Sequence, residues 1–167
     1  MPDYLKKSSF INFLIIIIIF SLDRVSKFYV ILNSESNSSP SLFTSKFLNI
    51  NLIWNEGIAF GLLTFDKSFG YNVITTIIFF IIILLVIMLL NTKKLGRVGL
   101  LLVLGGALGN FFDRLYYSAV PDFIEFYYKS FHWFIFNVAD IFVTLGIFCL
   151  ICVELMDKDN SDEKNLQ

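Results

Sequence analysis

The most restrictive feature of this sequence is a run of twenty residues, 71–90, without a charged side chain. At about 1.5 Å per residue such a run makes a helix about 30 Å long, which matches the hydrocarbon core of a bilayer. The chain of 167 residues is 56% hydrophobic and 16% charged, with a mean hydropathy of +0.73. Soluble domains average about 25% charged residues. The sequence therefore predicts an integral membrane protein, and its length suits a single domain.

Four apolar segments are long enough to cross a bilayer, and they predict helices at about 8–32, 70–90, 96–116 and 134–156. Between the first two, apolar Leu48, Ile50 and Leu52 alternate with polar residues, which predicts a strand. We expect a small β region over about 42–66, with a second short strand at 58–61, and a loop over about 117–133. The expected fold is an all-α integral membrane protein with a small sheet, one domain over 1–157 and an irregular polar tail over 158–167.

Basic residues predict the orientation of these helices. Lys6 and Lys7 precede the first helix, and Lys93, Lys94 and Arg97 lie between the second and third. Because Lys and Arg are enriched in cytoplasmic loops, both termini are expected in the cytoplasm. The β region and the later loop then share the outer face. Five polar side chains from distant parts of the chain are expected near that boundary: Asp23, Asn55, Asp113, Asp122 and Asp140.

Asp140 stands about six residues, or about 9 Å, into the fourth apolar segment. An ionisable group there costs several kcal/mol, so it is expected to face a partner, water or a reaction. Asp122 lies 18 residues earlier, just beyond the third helix, and an out-and-back connection would bring the two carboxylates together. Two carboxylates at one desolvated site share a proton, which is the arrangement used by aspartic proteases.

Polar residues on the first and third helices are spaced to assist such a site. Asp23 and Lys27 are four residues apart and share a helix face, either as an interfacial salt bridge or as a support for the site. Asn110 is three residues from Asp113 and four from Arg114, which predicts a polar patch on one side of the third helix. That patch either joins helices or supports the site.

Other chemistries find little support in this sequence. Cys149 and Cys152 are three residues apart within one predicted helix, and two thiolates alone do not complete a zinc site. We therefore expect no metal and no cofactor. A net charge of −1 does not favour nucleic-acid binding, and GxSxG, HExxH and P-loop motifs are absent from the sequence. The residues alone leave three hypotheses open: an aspartyl hydrolase at the outer membrane face, a proton-coupled transporter, and a structural or binding protein.

Five separated blocks of this sequence resemble, in order, those of the bacterial lipoprotein signal peptidase (signal peptidase II) family. They are DRVSK at 23–27, NEGIAFG at 55–61, GGALGNFFDR at 105–114, VPDF at 120–123 and FNVAD at 136–140. The resemblance implies a membrane aspartyl protease that removes the signal peptide from diacylglyceryl-prolipoproteins, just before the lipidated cysteine. It also implies four transmembrane helices, a small extracytoplasmic β-cradle and a loop over the active site.

Residue by residue, the resemblance implies Asp122 and Asp140 as the catalytic pair. It implies substrate-binding or supporting roles for nine further residues: Asp23, Lys27, Asn55, Gly57, Asn110, Asp113, Arg114, Asn137 and Ala139. The implied partners are prolipoproteins, membrane lipid and inhibitors of the globomycin type, in the bacterial cytoplasmic (inner) membrane. A monomer is expected because one chain supplies every proposed catalytic group.

The sequence departs from the family pattern at three positions near these blocks. Ile58 and Ile135 replace residues that are often small, and Pro121 replaces a residue that is commonly β-branched. These changes alter pocket shape or backbone stiffness, and none removes a group that the proposed chemistry needs. Carboxylates near the outer surface also favour the protease over a transporter, in which they are expected nearer the midplane.

Overall fold

The computed structural model describes residues 3–36, 41–57, 67–92 and 95–165 of the chain. It is mostly helical, with one small antiparallel sheet, as the sequence predicts. The elements follow in the order α1 (Asp3–Ser36), β1 (Phe43–Thr44), β2 (Leu48–Asn55), α2 (Lys67–Asn91), α3 (Leu95–Tyr117), β3 (Val120–Tyr128), β4 (Phe131–Phe136) and α4 (Val138–Asn165). Each helix overlaps one of the four predicted helices.

Three helices of the described chain are long and apolar enough to cross a membrane: Phe69–Asn91, Gly96–Tyr117 and Val138–Met156. The predicted first span, in α1, is not among them and stays a prediction. Half of the segment in α3 is buried within the protein, against 17% in α2 and 11% in α4. Helix α3 is therefore the central helix, and it packs against α1, α2 and α4.

Small residues allow α3 and α4 to touch along their backbones. A methyl group at Gly106 would lie 2.5 Å from the carbonyl oxygen of Ala139, and one at Gly146 would lie 2.6 Å from that of Gly99. The two contacts are seven residues apart on each helix, which is about two helical turns. Close approach at small residues is a common way of joining helices in membranes, where apolar burial contributes little to association.

The sheet has the order β1-β2-β3-β4, and all its pairs are antiparallel. The predicted strand is confirmed as β2, but the predicted loop over about 117–133 is wrong, because most of that segment forms the β3–β4 hairpin. Its two strands are rich in aromatic and β-branched residues, which favour strands. Apolar and polar residues do not alternate cleanly along these two strands, so hydropathy does not identify them as strands. The hairpin turns at Lys129, whose φ is 54°.

The hairpin also corrects the boundaries of the fourth helix. Residues 134–136 end β4, so α4 begins at Val138 and not at about 134. It continues to Asn165, so the predicted irregular tail over 158–167 is helical up to that residue. No glycine or proline follows Gly146 in the sequence to end the helix. The predicted second strand at 58–61, with Ile58, and the basic residues Lys93 and Lys94 lie outside the described residues.

Candidate active site

Strand β3 holds Asp122 in a buried position beside the end of β2. Asp122 pairs in register with Ile53, and Asn55 lies two residues further along the same face of β2. Asn55 Nδ2 donates a hydrogen bond of 2.9 Å to Asp122 Oδ2. Only 4% of Asp122 is exposed, so burial costs its charged form the stabilisation that water would give.

Asp140 occupies the first turn of α4, where Asn137 caps the helix. The Asp140 backbone N–H donates to Asn137 Oδ1 at 3.1 Å, and the Asn137 backbone N–H donates to Asp140 Oδ2 at 3.1 Å. This reciprocal pair follows the logic of a capping box. A carboxylate in the first turn also interacts favourably with the helix dipole. Asp140 is thus the third residue of its helix, closer to the N-terminus than the sequence predicts.

Asn137 joins the two carboxylates. Pairing of Ile124 with Phe136 brings the end of β4 beside the middle of β3, two residues from Asp122, and Asn137 follows directly. Its side-chain Nδ2 donates to Asp122 Oδ1 at 2.6 Å while its backbone binds Asp140. The structure therefore brings together the pair of aspartates that the sequence proposes, with a fully buried asparagine between them.

The surroundings of Asp122 raise the pKa of its carboxyl. Burial is the largest cause, and the negative charge of Asp140 acts in the same direction. Hydrogen bonds from Asn55 and Asn137 stabilise the carboxylate and oppose the rise. An aspartate with a raised pKa beside a second carboxylate favours a state in which the pair holds one proton.

Behind Asp140 lies a cluster of four charged residues from α1 and α3, which we call the ion cluster: Asp23, Arg24, Lys27 and Asp113. Three of them are buried, and Arg24 is partly exposed. Lys27 Nζ lies 2.9 Å from Asp23 Oδ1 and 2.6 Å from Asp113 Oδ2, and Arg24 binds both carboxylates. Two cations balance two anions, which is the condition for keeping charges out of water. The predicted Asp23–Lys27 pair is thus present.

The ion cluster holds the first turn of α4 at two points. Asp23 Oδ1 accepts a hydrogen bond of 3.0 Å from the backbone N–H of Ala139. Asn110 links Lys27 to Asp140: its Oδ1 accepts from Lys27 Nζ at 2.9 Å, and its Nδ2 donates to Asp140 Oδ1 at 2.7 Å. Ala139 is fully buried where α4 meets α3, so only a small side chain fits there.

Arg114 faces another direction from Asn110 and Asp113. Its guanidinium lies 5.4 Å from the centre of the Tyr71 ring and next to Gly57, where an added methyl group would come within 2.8 Å of Nη1. Gly57 has a φ of +80° and donates its N–H to Asn55 Oδ1 at 2.8 Å. The residues of the predicted patch on α3 therefore face two directions: Asn110 and Asp113 contact α1, and Arg114 contacts the turn after β2.

Arg24 is the member of the ion cluster that sequence reasoning did not assign to the site. The charges of the sequence indicate it: two carboxylates beside one lysine leave one negative charge unbalanced, and Arg24, which adjoins Asp23, is a cation that could balance it. Among the described residues, no group of three or more His, Cys, Asp and Glu side chains is placed to hold a metal ion.

An apolar cavity of about 440 Å³ opens beside Asp140. Its walls are mainly aromatic and aliphatic side chains of the β3–β4 hairpin and α4: Phe126, Trp133, Phe134, Phe136, Ile141, Thr144 and Leu145. Ile141 and Leu145 continue into an exposed apolar stripe on α4 that includes Phe148. The cavity therefore lies between Asp140 and the exposed apolar face of α4.

Known proteins resemble this chain in sequence and in fold. A family model described as signal peptidase (SPase) II matches residues 15–156. The chain is 48% identical over 160 residues to the lipoprotein signal peptidase of Pelagibacter ubique (strain HTCC1062), covering 95% of this chain and 96% of that one. It is 38% identical over 152 residues to the lipoprotein signal peptidase of Anaplasma marginale (strain Florida), covering 90% and 87%.

Two solved structures of bacterial membrane enzymes share the fold. One superimposes with a TM-score of 0.67 at 30% identity, covering 89% of this chain and 90% of that one. The other has a TM-score of 0.66 at 31% identity, covering 87% and 93%. With a family match over most of its length and relatives well above 30% identity, the chain belongs to the signal peptidase II family.

Proposed function

We propose that this chain is an aspartic endopeptidase that cleaves diacylglyceryl-prolipoproteins just before the lipidated cysteine, with Asp122 and Asp140 as its catalytic pair. The observation that carries the proposal is the bridge through Asn137, which binds one carboxylate with its side chain and the other with its backbone. A pair of carboxylates arranged in this way is suited to holding one proton and activating water.

In the proposed reaction, the ionised carboxylate removes a proton from a water molecule while the water oxygen attacks the scissile carbonyl carbon. The protonated carboxyl gives its proton to the carbonyl oxygen, so the tetrahedral intermediate forms without a free oxyanion. When the intermediate collapses, the C–N bond breaks and the nitrogen takes up a proton from the carboxyl that was protonated by water. One hydroxyl of the intermediate returns its proton to the other carboxylate as the C=O bond re-forms, which restores the pair to its starting state. The products are a signal peptide with a new carboxyl end and a lipoprotein with a free amino end.

Three asparagines hold the carboxylates in place for this reaction. Asn55 and Asn137 bind the two oxygens of Asp122, and Asn110 binds Asp140. For Asn55 and Asn137, a backbone N–H occupies the amide oxygen, from Gly57 and Asp140 respectively. Each amide must therefore turn its NH₂ group towards Asp122. The carboxylates are thus preorganised before substrate binds.

The cavity beside Asp140 supports a lipid-linked substrate. It is lined by apolar side chains and continues along α4 to the lipid-facing surface. We propose that prolipoproteins approach laterally through the bilayer, so that apolar parts of the substrate occupy this cavity while the scissile bond meets the carboxylates. The proposed setting is the bacterial cytoplasmic membrane, with four spans, cytoplasmic termini and the sheet and site on the extracytoplasmic side.

Asp140 also bears on the transporter hypothesis. A transporter is expected to keep its coupling carboxylates near the membrane midplane, with access from both sides in turn. Asp140 lies in the first turn of the span Val138–Met156, at its end. This position favours a protease working at the membrane boundary. Proton flux into liposomes that contain the purified protein but no prolipoprotein would support the transporter instead.

The test of the proposed function uses purified protein and a lipidated prolipoprotein. Asp122→Asn and Asp140→Asn are each expected to abolish cleavage, because either change removes the shared proton or the base. Globomycin is expected to block the wild type. Both variants must keep the thermal unfolding midpoint and chromatographic behaviour of a folded protein. Normal cleavage by either one would refute the catalytic pair.

A further inference from the structure

Lys27 uses all its hydrogen-bonding capacity inside the protein. Its ammonium group, 1% exposed, donates to Asp23 at 3.0 Å, to Asn110 at 2.9 Å and to Asp113 at 2.6 Å. A lysine ammonium has three donors and no acceptor. Two of the three acceptors are carboxylates that balance charge. The third is a neutral amide oxygen, and charge balance alone does not require that contact.

The contact with Lys27 determines which way the Asn110 amide faces. Asn110 Oδ1 accepts from Lys27, so its NH₂ group is on the opposite side and donates to Asp140 Oδ1 at 2.7 Å. If the amide rotated by half a turn, its NH₂ would face the ammonium of Lys27 and its oxygen would face the Asp140 carboxylate. Both contacts would then be repulsive.

We propose that Lys27 is a positioning residue for the reaction: by binding Asn110 Oδ1, it keeps the amide NH₂ directed at the Asp140 carboxylate. This inference rests on the proposed function, in which Asp140 is catalytic. It differs from a purely structural role in the ion cluster, because Lys27 contributes through the hydrogen bond from Asn110 to Asp140, which Lys27 itself does not make. Lys27 itself touches no reacting atom.

The same geometry separates Lys27 from Arg24. Arg24 carries the same charge in the same cluster, and it binds Asp23, Asp113 and the backbone carbonyl of Gly109. Asn110 accepts its hydrogen bond from Lys27 and not from Arg24. Removing either cation leaves the cluster with one unbalanced negative charge, but only the loss of Lys27 frees the Asn110 amide.

The experiment is a double-mutant cycle measured as kcat and KM for a lipidated prolipoprotein peptide in detergent. Lys27→Met and Asn110→Leu are each expected to lower kcat by about 10- to 100-fold, the scale of losses from a misplaced catalytic group. KM is expected to change little. In the Asn110→Leu background, Lys27→Met is expected to lower kcat no more than Arg24→Met does in the wild type, since the amide through which Lys27 acts is gone and only the charge effect remains.

Arg24→Met is the matched control, because it removes an equal charge without touching Asn110. It is expected to lower kcat much less than Lys27→Met. Losses that multiply in the Lys27→Met/Asn110→Leu double variant, or equal losses from Arg24→Met and Lys27→Met, would overturn the inference. If Lys27→Met does not fold, the cycle is run on Asp113→Leu, in which Lys27→Met leaves Arg24 and Asp23 as a balanced pair.

The two proposals fail in different ways. Full activity of Asp140→Asn would refute the proposed catalytic pair, and with it the proposed positioning role of Lys27. An inactive Asp140→Asn together with a wild-type kcat for Lys27→Met would leave the catalytic pair intact and refute only the positioning role.

Discussion

At the residue scale, the side-chain hydrogen bonds to the two aspartates of this site come from neutral asparagines. Asn55, Asn110 and Asn137 each use the oxygen of the side-chain amide to accept one hydrogen bond and the NH₂ to bind a carboxylate. An amide is neutral, so it holds an aspartate without the strong preference for ionisation that a lysine or arginine would impose. That property suits the proposed catalytic pair, in which one aspartate keeps a proton.

The raised pKa of Asp122 gives the folded protein a pH-dependent stability. A carboxyl with a raised pKa binds its proton more readily when folded, so its contribution to stability is full below the unfolded pKa and is lost as the pH rises through the folded pKa. Compared with Asp122→Asn, which does not titrate, the wild type should therefore gain stability as the pH falls from 7 to 4. The gain is about 1.4 kcal/mol for each pKa unit of difference.

Thermal unfolding midpoints of both proteins in detergent, measured across that pH range, check this prediction. Glu125 provides a control of opposite sign, because hydrogen bonds from Asn49 and His132 lower its pKa. The wild type should lose stability relative to Glu125→Gln over the same fall in pH. A constant difference between wild type and Asp122→Asn would show that the carboxyl of Asp122 is not perturbed by folding.

Individual residues also show what the sequence can and cannot predict. Spacing along one helix predicts the Asp23–Lys27 pair, because residues four apart share a face whatever lies around them. Spacing does not predict that Arg114 turns away from Asn110 and Asp113. That division depends on Gly57 and Tyr71, which reach Arg114 from other elements.

At the element scale, the junction between β4 and α4 is what places the site. Strand β4 ends at Phe136 and α4 begins at Val138, so a single residue, Asn137, lies between them. A hydropathy pattern cannot locate this junction, because the aromatic end of β4 and the apolar start of α4 form one continuous run. The cap reveals it, since Asn137 and Asp140 stand in the spacing of a reciprocal helix cap.

The contact between α3 and α4 must be close for the first turn of α4 to reach the ion cluster. A methyl group at Gly106 would lie 2.5 Å from the backbone oxygen of Ala139, which cannot rotate away. Gly106→Ala should therefore separate the helices, destabilise the protein by about 1–3 kcal/mol and reduce cleavage by displacing Asp140. Unfolding midpoints and cleavage rates in detergent measure both effects.

Gly70→Ala in α2 is the control for this substitution. Among the described residues, nothing lies within 4 Å of a methyl group at Gly70. Alanine is favoured over glycine within helices by about 0.5–1 kcal/mol, so this variant should be as stable as the wild type or slightly more stable. Wild-type stability and activity in Gly106→Ala would show that the two helices do not need this close contact.

At the scale of the whole molecule, α3 organises the chain. It contacts the other three helices and β3, and through the ion cluster it binds α1. The apolar runs predict that such a bundle exists, because length and hydropathy are properties of each segment alone. They do not predict the four-stranded sheet, whose pairing joins residues about 70 positions apart, such as Ile53 and Asp122.

The proposed topology requires α1 to cross the membrane together with the other three helices. In that arrangement Ser9 and Asn91 face the cytoplasm, while Lys46 and Lys129 face outward beside the sheet. Single cysteines at these four exposed positions test it, in a background where Cys149 and Cys152 are replaced by serine. A membrane-impermeant maleimide should label Lys46→Cys and Lys129→Cys in intact spheroplasts. Ser9→Cys and Asn91→Cys should react only after permeabilisation.

Labelling of Ser9→Cys tests whether α1 crosses the membrane, because α1 is the one helix between Ser9 and Lys46. Asn91 and Lys129 are separated by α3, whose span is already supported by its length and hydropathy, so they calibrate the assay. If Ser9→Cys reacts in intact spheroplasts as Lys46→Cys does, α1 does not cross. The ion cluster would then lie at the membrane surface, where its four charges would need far less compensation than within a bilayer.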